Sequence, residues 1–143
     1  MAKYYVGELD NQQWQHVLSR ALASADRFQV MTPDGAGPLS YGRTLFGSLP
    51  GVTVTSSDRM RDAIVISGEL TNPIRDLFSS TQTSINEYDD DADTRLWDYQ
   101  LLRGEVEILS IGDHSDLILE ATDQDLAELA SAGFACSEWD QID

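Results

Sequence analysis

Apolar residues at Trp14, Val17, Leu18, Ala21, Leu22 and Ala25 recur at the i, i+3, i+4, i+7 spacing of one helix face. They predict a helix over 11–25 that lies on a core by this stripe. Its start is marked twice. Asp10 can cap the N-terminus with Gln13 completing a capping box, and Leu9 and Trp14 hold the two positions of a hydrophobic staple. His16 falls beside the stripe, as a boundary residue rather than a base.

The period then changes to that of strands. Residues 28–31 alternate and predict a short strand, and 32–38 carry Pro33, Gly35, Gly37 and Pro38 and predict a turn. A second strand is expected over 39–45 and a β-branched one over 52–55. Residues 63–66 are apolar on both faces and predict a buried strand that ends at Ser67 and Gly68. Asn72 followed by Pro73 predicts a capped helix start. Ile74, Leu77 and Phe78 form its apolar face, and it should end near Ser79. Residues 80–84 read as a polar connector.

The clearest β region follows. Over 95–103, Trp97, Tyr99 and Leu101 fall on one face and Leu96, Asp98, Gln100 and Leu102 on the other. Gly104 permits a tight reversal into a strand over 105–111, and a turn over 112–115 leads to a strand over 116–121. Together they predict a three-strand meander. The last helix starts at Thr122, with Asp123 and Asp125 in its first turn, where the helix dipole favours acids. Leu126, Leu129 and Ala130 should face inward, Gly133 should end the helix in a left-handed conformation, and Phe134 should pack back. Residues 137–143 read as an acidic tail with Trp139 as its anchor. The order predicts a single α+β domain over 1–143, with about three helices packed on an antiparallel or mixed sheet.

Composition agrees with that picture. The chain has 143 residues, 41% of them hydrophobic, enough for one core. Cys136 is the only cysteine, so no internal disulfide can form, and a small apolar filler is its simplest role. No apolar run approaches a membrane span, and Met1 to Tyr5 lack the apolar stretch of a signal peptide. An intracellular setting is expected.

Charge changes the picture most. The formal net charge is -16. Residues 1–84 hold 8 acids and 7 bases, a net of -1; residues 85–143 hold 17 acids and 2 bases, Arg95 and Arg103, a net of -15. Such a charge disfavours nucleic acid and anionic membranes as direct partners and favours basic proteins, cations or a salty solvent. Lys3 is the only lysine, a bias that also accompanies life in concentrated salt. Adaptation to salt should spread acid over the whole surface, however, and here it is concentrated.

The known chemical patterns fail in turn. Asp89, Asp91 and Asp93 match the first, third and fifth positions of a calcium loop, but Thr94 stands where glycine is needed and Gln100 where a bidentate glutamate is needed. Asp113, His114, Ser115 and Asp116 carry the residue types of a catalytic triad, but adjacent residues of one turn cannot converge as a triad must. One cysteine and two separated histidines cannot build a zinc set. Gly35 and Gly37 resemble a fragment of a phosphate loop, yet no Lys-Ser/Thr pair follows. No catalytic, cofactor or metal residue is expected.

Binding remains. Glu87, Tyr88, Asp89, Asp90, Asp91, Asp93, Asp98, Glu105 and Glu107 are the expected partner-binding residues, acids interleaved with aromatics that suit an Arg/Lys-rich surface. The sequence reads as a non-enzymatic acidic protein that occupies a basic protein surface, as a nucleic-acid mimic or inhibitor if that surface normally holds nucleic acid. The alternative is a structural or assembly protein, such as a virion component from a high-salt organism, whose acidity serves solubility.

Overall fold

The first helix forms where its caps and stripe require. In the computed structural model, which describes residues 2–33, 45–59, 61–85, 96, 98–112 and 116–142, α1 spans Asn11–Ser24. The Gln13 N–H donates to Asp10 Oδ1 at 2.7 Å and the Asp10 N–H donates to Gln13 Oε1 at 3.2 Å, so the capping box is complete. Trp14, Val17, Leu18, Ala21 and Leu22 are buried, as the stripe predicts. The C-terminal carbonyls find partners from afar. Arg75 donates to Leu22 O and Ala25 O, each at 2.9 Å, and Arg103 Nε donates to Ser24 O at 3.2 Å. Cations at that end also complement the helix dipole.

Eight strands form one sheet: β1 Ala2–Val6, β2 Arg27–Pro33, β3 Thr53–Ser56, β4 Ala63–Glu69, β5 Asp98–Arg103, β6 Val106–Gly112, β7 Asp116–Ala121 and β8 Asp140–Ile142. The order is β3-β4-β2-β5-β6-β7-β1-β8, and every neighbouring pair is antiparallel. Two more helices, α2 Asn72–Thr81 and α3 Asp123–Ser131, join α1 on one face. Phe28, Val30, Ile66, Tyr99, Leu101, Leu109, Ile111, Leu117 and Leu119 point from the strands into a single core with Trp14, Leu18, Phe78 and Leu129. This is the expected α+β class, with the sheet wholly antiparallel.

The meander β5-β6-β7 stands as expected, and Gly104 makes its first reversal with φ +61. The end of α3 is a complete Schellman motif. The Gly133 N–H donates to Ala130 O and the Phe134 N–H to Leu129 O, both at 3.1 Å, with Gly133 at φ +96. Phe134 and Leu129 are both buried and supply the apolar contact that accompanies this cap.

Several expectations are corrected. Thr71, not Asn72, is the cap residue of α2, and its side chain makes no capping bond. Asn72 Oδ1 instead accepts from Arg75 Nη1 at 3.3 Å. The helix runs on to Thr81, and β4 continues past Gly68 to Glu69. Ala130 is exposed, because only Leu129 of α3 is fully buried. The acidic tail expected over 137–143 is corrected over its described residues: Asp140–Ile142 is β8, paired to β1, and β1 itself has no counterpart in the expected elements. Of the strand expected over 39–45 only Leu45 is described, and it is helical. Trp97 and the turn at 113–115 lie outside the described residues.

The polar connector after α2 holds a buried tie. Trp14 Nε1 donates to Gln82 O at 2.8 Å, and the Leu96 N–H donates to Gln82 Oε1 at 3.0 Å. Gln82 is 2% exposed. Gln82→Ala leaves the buried Leu96 N–H without this acceptor, and an unsatisfied buried donor costs about 1–3 kcal/mol. Urea unfolding should therefore show a lowered midpoint with an unchanged slope.

Candidate functional site

The sheet order turns the uneven charge of the sequence into an uneven charge in space. The strands after residue 84, namely β5, β6, β7 and β8, all lie on one side of β2, with only β1 among them. The strands on the other side, β3 and β4, come from the nearly neutral first part. No helix covers the second face of the sheet among the described residues, although Met31 and Gln100 on that face are each only 5% exposed. On the acidic half this open face carries, by register, Asp98 of β5, Glu107 of β6, Asp116 and Glu120 of β7, and Asp140 of β8. Lys3 and Tyr5 of β1 stand among them.

These acids fall at two ends. Asp98 opens β5, Gly112 closes β6 and Asp116 opens β7, so the two aspartates share one end of the meander. The flanks of the acidic run reach that same end. Ile85 and Leu96 are buried in the core, and Gln82 binds the Leu96 backbone. Glu105 and Glu107 lie at the opposite end, about 17 Å away along five strand residues. Glu105 sits with Gly104 in the turn rather than in β6, so the two glutamates do not share a strand. A bulge re-aims Glu107: Leu101 pairs with Leu109 but Leu102 with Glu107, and the extra residue Ile108 returns Glu107 to the open face.

Not every acid is free to act outward. Asp98 has a side chain only 16% exposed, lies 3.7 Å from Arg59 Nη2 and accepts from Gln100 Nε2 at 2.7 Å. Asp116 accepts from the Tyr5 hydroxyl at 2.9 Å, and that bond holds the phenol above its ordinary pKa. Glu107 has a long contact, 4.0 Å, with Lys3, and Glu105 is exposed in its turn. Glu87, Tyr88, Asp89, Asp90, Asp91 and Asp93 lie outside the described residues. Tyr99 is 2% exposed and belongs to the core, so it offers a partner nothing. Among the described residues the exposed aromatic of this half is Tyr5, at 41%. The sequence pattern did not predict β1; its available signal was the strand-favouring run Tyr4-Tyr5-Val6.

The helix side of the same half holds a pocket of about 320 Å³ between α1, α3 and strands β5 to β7. Val17, Ala21, Val106, Ile108, Leu119 and Leu129 give it an apolar floor. Its cations are already engaged. Arg20 lies 3.2 Å from Asp125 Oδ1 and 3.0 Å from Glu128 Oε2, and Arg103 caps α1. The pocket thus reads as a groove braced by charge pairs that tie α1 to α3.

The groups that could do chemistry are placed for other work. His16 is exposed and its ring lies 5.5 Å from that of Phe134. Cys136 Sγ donates to Leu126 O at 3.7 Å, and burial pushes the thiol up, away from the reactive thiolate. Among the described residues no three His, Cys, Asp or Glu side chains form a metal-binding group. No helix described is long and apolar enough to cross a membrane.

Asp125 gives a pH test of the α3 cap. Its carboxylate accepts from the Thr122 N–H at 2.9 Å, the main reason its pKa lies below the ordinary 3.8; Arg20 and Arg103 add to the effect against partial burial. A depressed folded pKa means stability that is complete above the ordinary carboxylate range and lost as pH falls through the folded value. Asp125→Asn should therefore be less stable than the parent at neutral pH, with the gap closing in strong acid. Urea unfolding of both proteins across that range checks it, and the difference between them cancels the change in overall self-repulsion.

Comparison with family models, with curated proteins and with solved structures finds no match for this chain, so a role must be argued from geometry and charge.

Proposed function

We propose that this protein acts by binding, and that the acidic half of its sheet occupies an Arg/Lys-rich surface of a partner protein. The observation that carries the reading is the sheet order, which gathers β5, β6, β7 and β8 on one side of β2. Strand neighbours stand about 4.8 Å apart, so carboxylates on adjacent strands present charge at a density comparable to a nucleic-acid backbone. A surface that normally holds nucleic acid is the natural target, and occupying it would inhibit the partner. Glu105, Glu107, Glu120 and Asp140, with the run from Glu87 to Asp93, supply the field. Asp98 and Asp116 hold the framework through Arg59 and Tyr5. Exposed Tyr5 offers a ring to a partner's guanidinium, a contact worth about 0.5–1 kcal/mol at an exposed site.

A labelled oligo-arginine peptide tests the electrostatics by fluorescence anisotropy. Neutralising Asp89, Asp90, Asp91 and Asp93 to Asn should weaken binding by about tenfold or more. Binding should also fall steeply with salt, since the Debye length shrinks from about 30 Å at 0.01 M to about 8 Å at physiological ionic strength. Affinity for basic partners that survives both changes would remove the acidic run as the site. With a real partner, duplex nucleic acid should compete with this chain for the same surface.

One observation favours the second reading, acidity for solubility in a salty solvent. Asp123, Glu128 and Glu138 place acid on the helix side of the same half, outside the open face. The two readings separate by circular dichroism. The binding reading expects full folding at low salt, whereas a chain that folds only in molar KCl would be a salt-adapted one.

A further inference from the structure

The two edges of the sheet differ in kind. β8 is three residues long, carries Asp140 and follows Glu138, so charge and brevity protect it from pairing. β3 is short too, at four residues, but among the described residues it has no charge, proline or bulge to protect it. Its residues Thr53, Val54, Thr55 and Ser56 are all exposed, carry no charge and no proline, and pair with β4 in unbroken register. Val54 is 41% exposed although it lies beside Ile66, which is 0% exposed. A regular, uncharged, β-branched edge is the form that accepts another strand.

We propose that the β3 edge pairs antiparallel with β3 of a second copy of this chain, forming a two-fold dimer with one sheet continuous through both. An axis normal to the sheet keeps both helix layers on the same side, so each residue must face one from the same side of its own strand. Val54 then meets its own symmetry mate on the helix side, which covers the exposed valine. Thr53 meets Thr55 on the open side, a favourable cross-strand pair of hydroxyls. Charge selects this occupant. The charged residues that follow β3 in sequence, Asp58, Arg59, Arg61 and Asp62, are two acids and two bases. The copies approach by their nearly neutral halves, and about seven strand spacings, roughly 34 Å, separate the two β5 strands. That is several Debye lengths at physiological salt, about 8 Å each, so the acidic halves barely repel. A contact through β8 would bring them together instead.

This inference stands independently of the proposed partner. Sedimentation equilibrium of the full chain, from micromolar to near-millimolar concentration, should reach twice 15.8 kDa with little dependence on salt. Val54→Lys should raise the dimer dissociation constant by about tenfold or more, since like charges would meet directly. Thr55→Lys, on the other face, breaks both Thr53–Thr55 pairs and should also weaken the dimer, and it serves if Val54→Lys disturbs folding by circular dichroism. Ile142→Lys on β8 should change nothing. A monomer throughout, a dimer indifferent to both β3 variants, a dimer that tightens steeply with salt, or a β3 edge that takes only an unrelated extended peptide would each overturn the proposal.

Discussion

The pairing of β2 with β5 is the constraint on which the rest depends. Residues 27–31 meet residues 98–102, across nearly half the chain. β2 also pairs with β4, so this one strand joins the nearly neutral part of the sequence to the acidic part. Its register places Phe28 beside Leu101 and Val30 beside Tyr99, all on the helix face. A slip by one residue would send Asp98 and Gln100 inward and Tyr99 and Leu101 out. The hydrophobic pattern of the meander therefore fixes which way its acids point. The acidic face is a by-product of a core that tolerates only one register.

Four of the nine bases of the chain serve this framework. Arg75 spans two carbonyls at the end of α1 and Asn72, Arg103 takes a third carbonyl, Arg20 bridges α1 to two acids of α3, and Arg59 stands against Asp98. The fork of a guanidinium suits such double contacts better than a lysine ammonium does, which gives the scarcity of lysine a structural side. Bases spent on carbonyls leave surface carboxylates uncompensated. These ion pairs are also largely exposed, and exposed pairs contribute about 0–1 kcal/mol each, so they position elements more than they stabilise them.

What the sequence made legible was local. The Asp10–Gln13 capping box, the start of α3 at Thr122, its left-handed end at Gly133 and the meander with its Gly104 reversal each rest on residues within one or two turns of each other, and they stand as expected. What it hid was non-local. Asp140 and Gln141 have little strand-forming character, and Ile142 alone does not make a strand; the segment is one because β1 offers an edge some 140 positions away. Gln82 sits in a string of Ser, Thr and Gln, and its burial follows from contacts with Trp14 and Leu96. Of the candidate site, the sequence carried the segregation of charge but not its division. Asp98 and Glu105 follow within one short strand and its turn, yet stand at opposite ends of the hairpin.

That division limits how the acidic half can act. The ends of the meander are about 17 Å apart, and β5 and β8 are about 19 Å apart across four strand spacings. Both distances exceed the Debye length of about 8 Å at physiological salt. A distant partner feels the net charge only weakly; at contact it meets separate patches. One patch gathers Glu107 and Glu120 around Lys3, which tempers it. The other lies where Asp98 and Asp116 are held by Arg59 and Tyr5 and where the flanks of the acidic run emerge. Specific recognition would then require cations spaced to reach both ends at once, which a rigid basic groove can provide and a diffuse cationic surface cannot.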